Sequence, residues 1–279
     1  MASPVYAFAV ATIWAVSPIY YRIFLAKFDF LSFNFLRTAS ASAVLAIPAI
    51  YYWSFAGLGY AVPSGVFTMA LGDSLFLLSL REIGASVATP VAYTYVLMIQ
   101  LVGSLFGQTV PYANFLAAVM VVGGVYILSK GGEEKPRPRG VGFAIAAGVL
   151  WTVGQELVQT SINAGGNFVV VTFASRAAAA VALGIVFALT RKERKWPSGL
   201  RPQDYAFMLM LIISDLALGS TLFVYSISII GVALTVILTS LSPLLTQVFA
   251  KALGKESPSP RDFFGGALIV AALVLAVAL

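Results

Sequence analysis

The chain has 279 residues, of which 60% are hydrophobic and 10% charged, and its formal net charge at pH 7 is +6. Soluble domains contain about 25% charged residues, so the composition excludes an ordinary soluble protein. The chain has no cysteine and no histidine, which excludes disulfides, thiolate chemistry and imidazole metal ligands. Apolar runs of about 20 residues recur, each long enough to cross a bilayer core of about 30 Å. We therefore predict a polytopic helical membrane protein.

Apolar runs and the breakers between them predict ten spans, numbered 1 to 10 in chain order. Their limits are about 3–25, 30–53, 60–81, 84–106, 111–130, 140–162, 166–190, 204–229, 231–253 and 260–279. The stretch KGGEEKPRPRG at 130–140 is the least apolar interruption near the middle, and its composition is typical of a linker. The predicted organisation is a five-helix repeat (1–130), a charged linker (131–139) and a second five-helix repeat (140–279).

The two halves are related in sequence. Residues 70–84 read ALGDSLFLLSLREIG, and residues 217–231, at an offset of 147, read ALGSTLFVYSISIIG with eight identical positions. Further pairs at this or a slightly smaller offset are Trp14 with Trp151, Arg37 with Arg176, and Gln100 with Gln247. The duplication is not complete, because Asp73 of the first copy is replaced by Ser220 in the second.

The charges of the connections predict the orientation of the halves. Of 17 Lys and Arg residues, 15 lie in the connections that follow odd-numbered spans or at the span ends next to these connections, and Arg37 and Arg176 lie well inside spans. The connections after spans 2, 4, 6 and 8 contain none. The positive-inside rule places the odd connections in the cytoplasm and both termini outside it. With five spans in each repeat, the halves have opposite orientations in an inner or plasma membrane.

These features together resemble a known family. The two inverted five-span halves, the Trp in spans 1 and 6, the in-span Arg of FNFLRTAS and VTFASRAAAA, and the paired LG…LF…S…IGA and LG…LF…S…IGV stretches resemble the drug/metabolite transporter superfamily, in its EamA-like branch. The resemblance implies a central cavity among spans 3, 4, 8, 9 and parts of 1, 2, 6 and 7, with spans 5 and 10 peripheral. Many members export amino acids or related metabolites. Well-studied members have cytoplasmic termini, and for this chain we follow its own charges instead.

Five charged residues lie well inside spans, where such residues normally face a bundle interior or a cavity. Asp73 and Asp215 lie near the middle of spans 3 and 8, Glu156 lies in the latter half of span 6, and Arg37 and Arg176 are intramembrane cations. Two interpretations stay open. The charges neutralise one another and hold helices together, or one of the acids takes up and releases a proton during a transport cycle.

Spans 4 and 9 each carry polar and small residues at helical spacing on one face. Tyr93 and Gln100 lie on this face in span 4, and Ser240 and Gln247 in span 9. A polar face within an apolar helix points inward, so these residues are candidates for cavity lining. The alternative is hydrogen bonding between helices.

Tryptophans and prolines complete the candidate site. Trp14 and Trp151 lie about a dozen residues into their spans, too deep for an interfacial belt. They are candidates for the cavity wall, with ordinary packing as the alternative. Pro18, Pro90 and Pro243 lie inside spans, where each removes a backbone hydrogen bond. Such kinks act as hinges or shape the bundle.

The sequence has no HExxH, Walker A or GxSxG motif, so we predict no enzymatic activity and no cofactor. We expect a secondary transporter of a small polar or amphipathic metabolite, an amino acid or a related compound, that works by alternating access around a central cavity without ATP hydrolysis. Export is the expected direction and protons are the candidate coupling ion. The alternatives are a passive channel or facilitator and a non-transporting membrane scaffold. The expected partners are a small molecule and the lipid bilayer, without nucleic acid, and both a monomer and a homodimer stay open.

Overall fold

The computed structural model describes residues 3–83, 85–105, 108–129, 137–190, 200–252 and 260–278, and every regular element in these ranges is a helix. The helices are Ser3–Leu25, Phe30–Tyr51, Leu58–Ile83, Ala85–Ala92 with Tyr95–Leu105, Tyr112–Ser129, Pro138–Asn163, Phe168–Leu189, Pro202–Thr239, Ser242–Ala252 and Pro260–Ala278. They correspond to the ten predicted spans in order. The all-α fold with two five-helix repeats is confirmed.

Two spans are interrupted rather than continuous. Span 4 breaks at residues 93–94, and span 9 breaks at residues 240–241, which is the same place in the repeat at the offset of 147. A further break lies at Gly231, whose φ of 76° separates span 8 from span 9 within the long helix Pro202–Thr239. Glycine adopts this left-handed conformation without steric cost. The chain therefore reverses direction there without a long loop.

A π-helical segment occurs at equivalent positions in spans 3 and 8. The segments are Val66–Gly72 and Ile213–Gly219, again 147 residues apart. π-helical turns are rare and often occur at functional sites. Each segment ends on a glycine that packs against a tryptophan. A Cβ there would lie 2.8 Å from Trp151 in the first case and 2.9 Å from Trp14 in the second.

The packing of the spans follows the duplication. Span 1 packs on spans 8 and 9, and its counterpart, span 6, packs on spans 3 and 4. Span 2 packs on span 7, and span 5 packs on span 10. Hydrogen bonds join spans 3 and 6 at both ends of the bundle. At the end that carries the basic connections, Ser79 Oγ donates to Gly140 O over 2.8 Å. At the opposite end, Ser161 Oγ donates to Gly57 O over 2.8 Å. We call these ends the basic face and the neutral face.

Candidate functional site

A cavity of about 140 Å³ lies between the two halves of the bundle. Its wall is formed by spans 1, 2, 3 and 4 of the first half and spans 6, 8 and 9 of the second. The volume is close to the roughly 150 Å³ of an engineered protein cavity that binds benzene, so the space suits a small ligand. The predicted residues on this wall are Trp14, Pro18, Arg37, Asp73, Tyr93, Trp151, Asp215 and Pro243.

Arg37 connects spans 2, 3 and 8 on one side of the cavity. Its Nη1 lies 3.3 Å from Asp73 Oδ2, and its Nη2 lies 3.4 Å from Asp215 Oδ2. All three residues are buried. An unpaired charge in this environment is costly, so one guanidinium supports two carboxylates that come from different halves. We call Arg37, Asp73 and Asp215 the charged cluster.

Two neutral side chains fix the position of the charged cluster. Tyr21 donates its hydroxyl to Asp215 Oδ2 over 2.5 Å, and the Arg37 guanidinium carbon lies 4.6 Å from the centre of the Tyr21 ring. Asn34 Oδ1 accepts from Arg37 Nη1 over 3.3 Å, while Asn34 Nδ2 donates to Met69 O over 2.7 Å. The guanidinium is thus held by ion pairs, a hydrogen bond and a cation–π contact.

The two equivalent tryptophans make different hydrogen bonds. Trp151 Nε1 donates to the Asp73 carboxylate at Oδ1 over 3.0 Å. Trp14 Nε1 donates to the main-chain oxygen of Asp215 over 3.4 Å. The difference follows from the exchange of the acid in the repeat, because Ser220 stands where the first half has Asp73.

This difference predicts unequal effects of removing the two indole donors. We expect Trp151→Phe to lower the free energy of unfolding by about 1.5–3 kcal/mol beyond its packing cost, because a hydrogen bond to a charged acceptor is lost. Trp14→Phe loses a longer bond to a neutral carbonyl and is the matched control, with an expected cost below about 1 kcal/mol for that bond. Thermal unfolding of the two purified variants measures the difference, and equal losses of stability would contradict it.

Comparisons with known proteins bear on this geometry. The model of the EamA-like transporter family matches residues 1–130 and 138–278. The chain belongs to the EamA-like transporter family. Among solved structures, 29 chains match; one of them, described only as the crystal structure of a protein, is 18% identical, has a TM-score of 0.81, and aligns over 99% of this chain and 96% of its own. At that identity the likeness shows the fold alone. No curated protein matches the chain.

Gln100 and Ser240 of this EamA-like transporter lie outside the cavity wall, although their spacing predicted that they line it. Gln100 is fully buried and its Nε2 donates to Ala233 O over 3.0 Å, so it joins span 4 to span 9. Ser240 Oγ donates to Val236 O within its own helix over 2.6 Å. Spans 4 and 9 are both interrupted, at residues 93–94 and 240–241. A helical face that is extrapolated from residue spacing does not continue past such an interruption.

The other predicted residues lie in varied surroundings. Arg176 is buried and its Nη1 donates to Ser175 Oγ over 2.6 Å, but it forms no ion pair with any residue in the described ranges and does not line the cavity. The side chains of Gln247 and Pro90 lie outside the described residues. The Pro18 helix continues to Leu25, while Pro243 lies at the start of the helix that follows the break in span 9.

Glu156 lies apart from the charged cluster. Its Oε2 accepts from Gln108 Nε2 over 2.6 Å, and its Oε1 is buried without a hydrogen-bond partner in the described part of the chain. Gln108 belongs to the connection between spans 4 and 5, at the neutral face. Across the residues that the structure describes, no Lys or Arg forms an ion pair with Glu156.

Several wall residues were not predicted from the sequence, and for two of them a simple signal was present. Tyr21 and Gln155 both line the cavity. Tyr21 follows Trp14 and Pro18 on the same helical face of span 1, and Gln155 follows Trp151 by one turn in span 6. Extending the faces through the two tryptophans would have found both.

The middle of the cavity wall is built from equivalent positions of the two halves. Both members of several equivalent pairs line it: Trp14 with Trp151, Pro18 with Gln155, Thr68 with Asp215, Met69 with Leu216, Asp73 with Ser220, and Tyr95 with Ser242. The positions that form this part of the wall therefore follow the pseudo-symmetry of the fold, whereas the charged residues at these positions do not.

Beyond the middle, the wall extends toward the basic face alone. Its residues there include Leu77, Leu80, Thr89 and Thr246. Their equivalents in the other half are Val224, Ile227, Val236 and Ile99. These equivalents belong to one apolar core and do not line the cavity. In the part of the chain that the structure describes, this core closes the bundle toward the neutral face.

Proposed function

We propose that this EamA-like transporter carries a small polar or amphipathic metabolite, an amino acid or a related compound, by alternating access around the central cavity. The single observation that carries the proposal is the asymmetry of the cavity wall. In its middle, both members of several equivalent pairs line the cavity, whereas toward the basic face one member lines the cavity and the other is packed in the apolar core. Inverted repeats that exchange conformations give this asymmetry in either end state.

The charged cluster suits a ligand that bears both signs of charge. Asp73 and Asp215 offer carboxylate oxygens and Arg37 offers guanidinium donors at the same wall. The aromatic rings of Trp14 and Trp151 supply apolar surface beside them. A zwitterion with an apolar body, such as an amino acid, matches both features. The loop charges place the basic face in the cytoplasm, and export from that face is the proposed direction.

A passive channel is the second function considered. It requires a continuous pore, whereas the apolar core of Ile99, Val224, Ile227 and Val236 fills the path from the cavity to the neutral face. The packing therefore favours a carrier. A scaffold without transport would not require a polar cavity between the halves.

Counterflow in proteoliposomes tests the proposal. Vesicles loaded with a pool of unlabelled amino acids receive the same compounds outside as trace label. A carrier gives a saturable, transient accumulation of label for the compounds it recognises. A channel gives simple equilibration, and a scaffold gives no uptake beyond protein-free vesicles.

Cysteine labelling tests the closed neutral side independently of the ligand. The chain has no cysteine, so single substitutions need no background mutations. We expect Thr89→Cys and Thr246→Cys to react with a water-soluble thiol reagent, because both positions line the cavity and neither is fully buried. Their matched controls Val236→Cys and Ile99→Cys lie in the apolar core and are expected to react far more slowly.

Mass spectrometry of the labelled protein measures the four rates. Gly59→Cys is a positive control for reactivity, since a Cβ added at Gly59 in span 3 would meet no atom within 4 Å. Equal rates within both matched pairs would speak for a continuous pore and against the carrier.

A further inference from the structure

One buried acid has no counterion among the residues that the structure describes. Glu156 is 8% exposed, and its carboxylate accepts a hydrogen bond from the neutral amide of Gln108. Its second oxygen is buried and has no hydrogen-bond partner there. Asp73 and Asp215, by contrast, both pair with Arg37. The described intramembrane acids therefore fall into two classes, one paired with a cation and one not.

The described titratable side chains on the neighbouring spans do not compensate Glu156. Spans 3, 4, 7, 8 and 9 pack against span 6. Span 3 carries Tyr60, Asp73, Arg81 and Glu82. Spans 4, 7 and 8 carry Tyr93, Tyr95, Arg176, Asp204, Tyr205, Asp215 and Tyr225. Among the described residues none of these groups forms an ion pair with the Glu156 carboxylate, whose described hydrogen-bond partner is Gln108.

From this placement we propose that Glu156 is the proton-binding site of the transport cycle. The inference rests on the proposed function and assigns its coupling ion. An ionised carboxylate that is buried without a cation is costly, and taking up a proton removes the charge. Asp73 and Asp215 differ from Glu156, because Arg37 lies beside both of them and favours their ionised forms.

The position of Glu156 links proton binding to the closed neutral side. Gln108 belongs to the first half of the chain and Glu156 to the second, so their hydrogen bond joins the halves near the neutral face. One residue earlier on the same helix, Gln155 lines the central cavity. The hydrogen bond between Glu156 and Gln108 must break when the neutral side opens. A change of charge at Glu156 therefore acts on this contact, and it does so within one helical turn of the cavity.

Infrared spectroscopy of the purified full chain tests proton binding without any ligand. We expect the wild type to show a pH-dependent carbonyl band of a protonated carboxyl group that disappears in Glu156→Gln. Glu82→Gln is the matched control, since Glu82 pairs with the exposed Arg139 at the basic face, and it should keep the band. A band that is unchanged in Glu156→Gln overturns the assignment.

Transport of the amino-acid pool separates this inference from the proposed function. We expect Glu156→Gln to retain counterflow at equal pH but to lose accumulation driven by an imposed pH gradient, while Glu82→Gln retains both. Gradient-driven accumulation in Glu156→Gln at the wild-type level overturns the inference and leaves the carrier intact. A wild type without counterflow for any member of the pool counts against the proposed substrates, and the infrared result then decides the proton site by itself.

Discussion

Arg37→Gln is expected to lower the free energy of unfolding by about 3–5 kcal/mol, the usual cost of removing one partner from a buried ion pair. The substitution leaves Asp73 and Asp215 buried without the guanidinium that lies 3.3 Å and 3.4 Å from them. It also removes the cation over the Tyr21 ring. Counterflow should be abolished, because the cavity wall loses the guanidinium that is proposed to bind the ligand and that pairs with both carboxylates. Thermal unfolding and counterflow of the same preparation measure the two effects.

The triple variant Arg37→Gln, Asp73→Asn, Asp215→Asn is the control that separates stability from transport. It leaves no charge of the cluster uncompensated, so we expect most of the lost stability to return. Transport should stay absent, because the ligand loses its charged partners. Recovery of counterflow in the triple variant would show that the charged cluster is structural, and the proposed ligand contacts would then be wrong.

Gly65→Ala is expected to destabilise the bundle by about 3 kcal/mol, the upper end of the usual range for overpacked sites. A Cβ at Gly65 would lie 1.8 Å from the main-chain oxygen of Ser175 and 2.5 Å from its carbonyl carbon. Backbone atoms of span 7 cannot move aside as a flexible side chain does. Spans 3 and 7 must therefore separate, next to the π-helical segment that starts at Val66.

Gly59→Ala is the matched control in the same span. A Cβ at Gly59 meets no atom within 4 Å, and alanine is favoured over glycine in a helix by up to about 1 kcal/mol. We expect this variant to be neutral or slightly more stable than the wild type in thermal unfolding. Equal melting temperatures for the two variants would show that the close approach of spans 3 and 7 does not contribute to stability.

The charged cluster shows how a duplicated fold acquires a site that is not duplicated. Arg37 and Arg176 are equivalent, yet Arg37 has two carboxylate partners. The equivalents of those partners in the other half are Ser220 and Thr68, which carry hydroxyl groups. Folding requires the two halves to pack alike, but ligand binding places no such demand on their charges. The exchange of acids for hydroxyls therefore leaves the backbone pseudo-symmetry intact.

The ten spans and their duplication could be predicted from the sequence because a bilayer selects each span by its own length and hydrophobicity. The breaks inside spans 4 and 9 were not predicted. Pro90 and Pro243 lie near these breaks, but Pro18 lies in a helix that continues past it. A proline alone does not determine whether a membrane helix breaks, because neighbouring helices can satisfy the freed backbone groups.

The sequence by itself determined which charged residues lie inside the membrane, but the tertiary structure decided which of them meet. Arg37 and Asp215 are 178 residues apart and pair across the two halves, whereas Glu156, an acid of the same kind, meets the neutral Gln108. Hydropathy and loop charge are properties of single segments, so the spans and their orientation can be predicted from the sequence without knowledge of the fold. Partner choice depends on how helices rotate and pack, including the π-helical segments that precede Asp73 and contain Asp215, and this is a property of the assembled bundle.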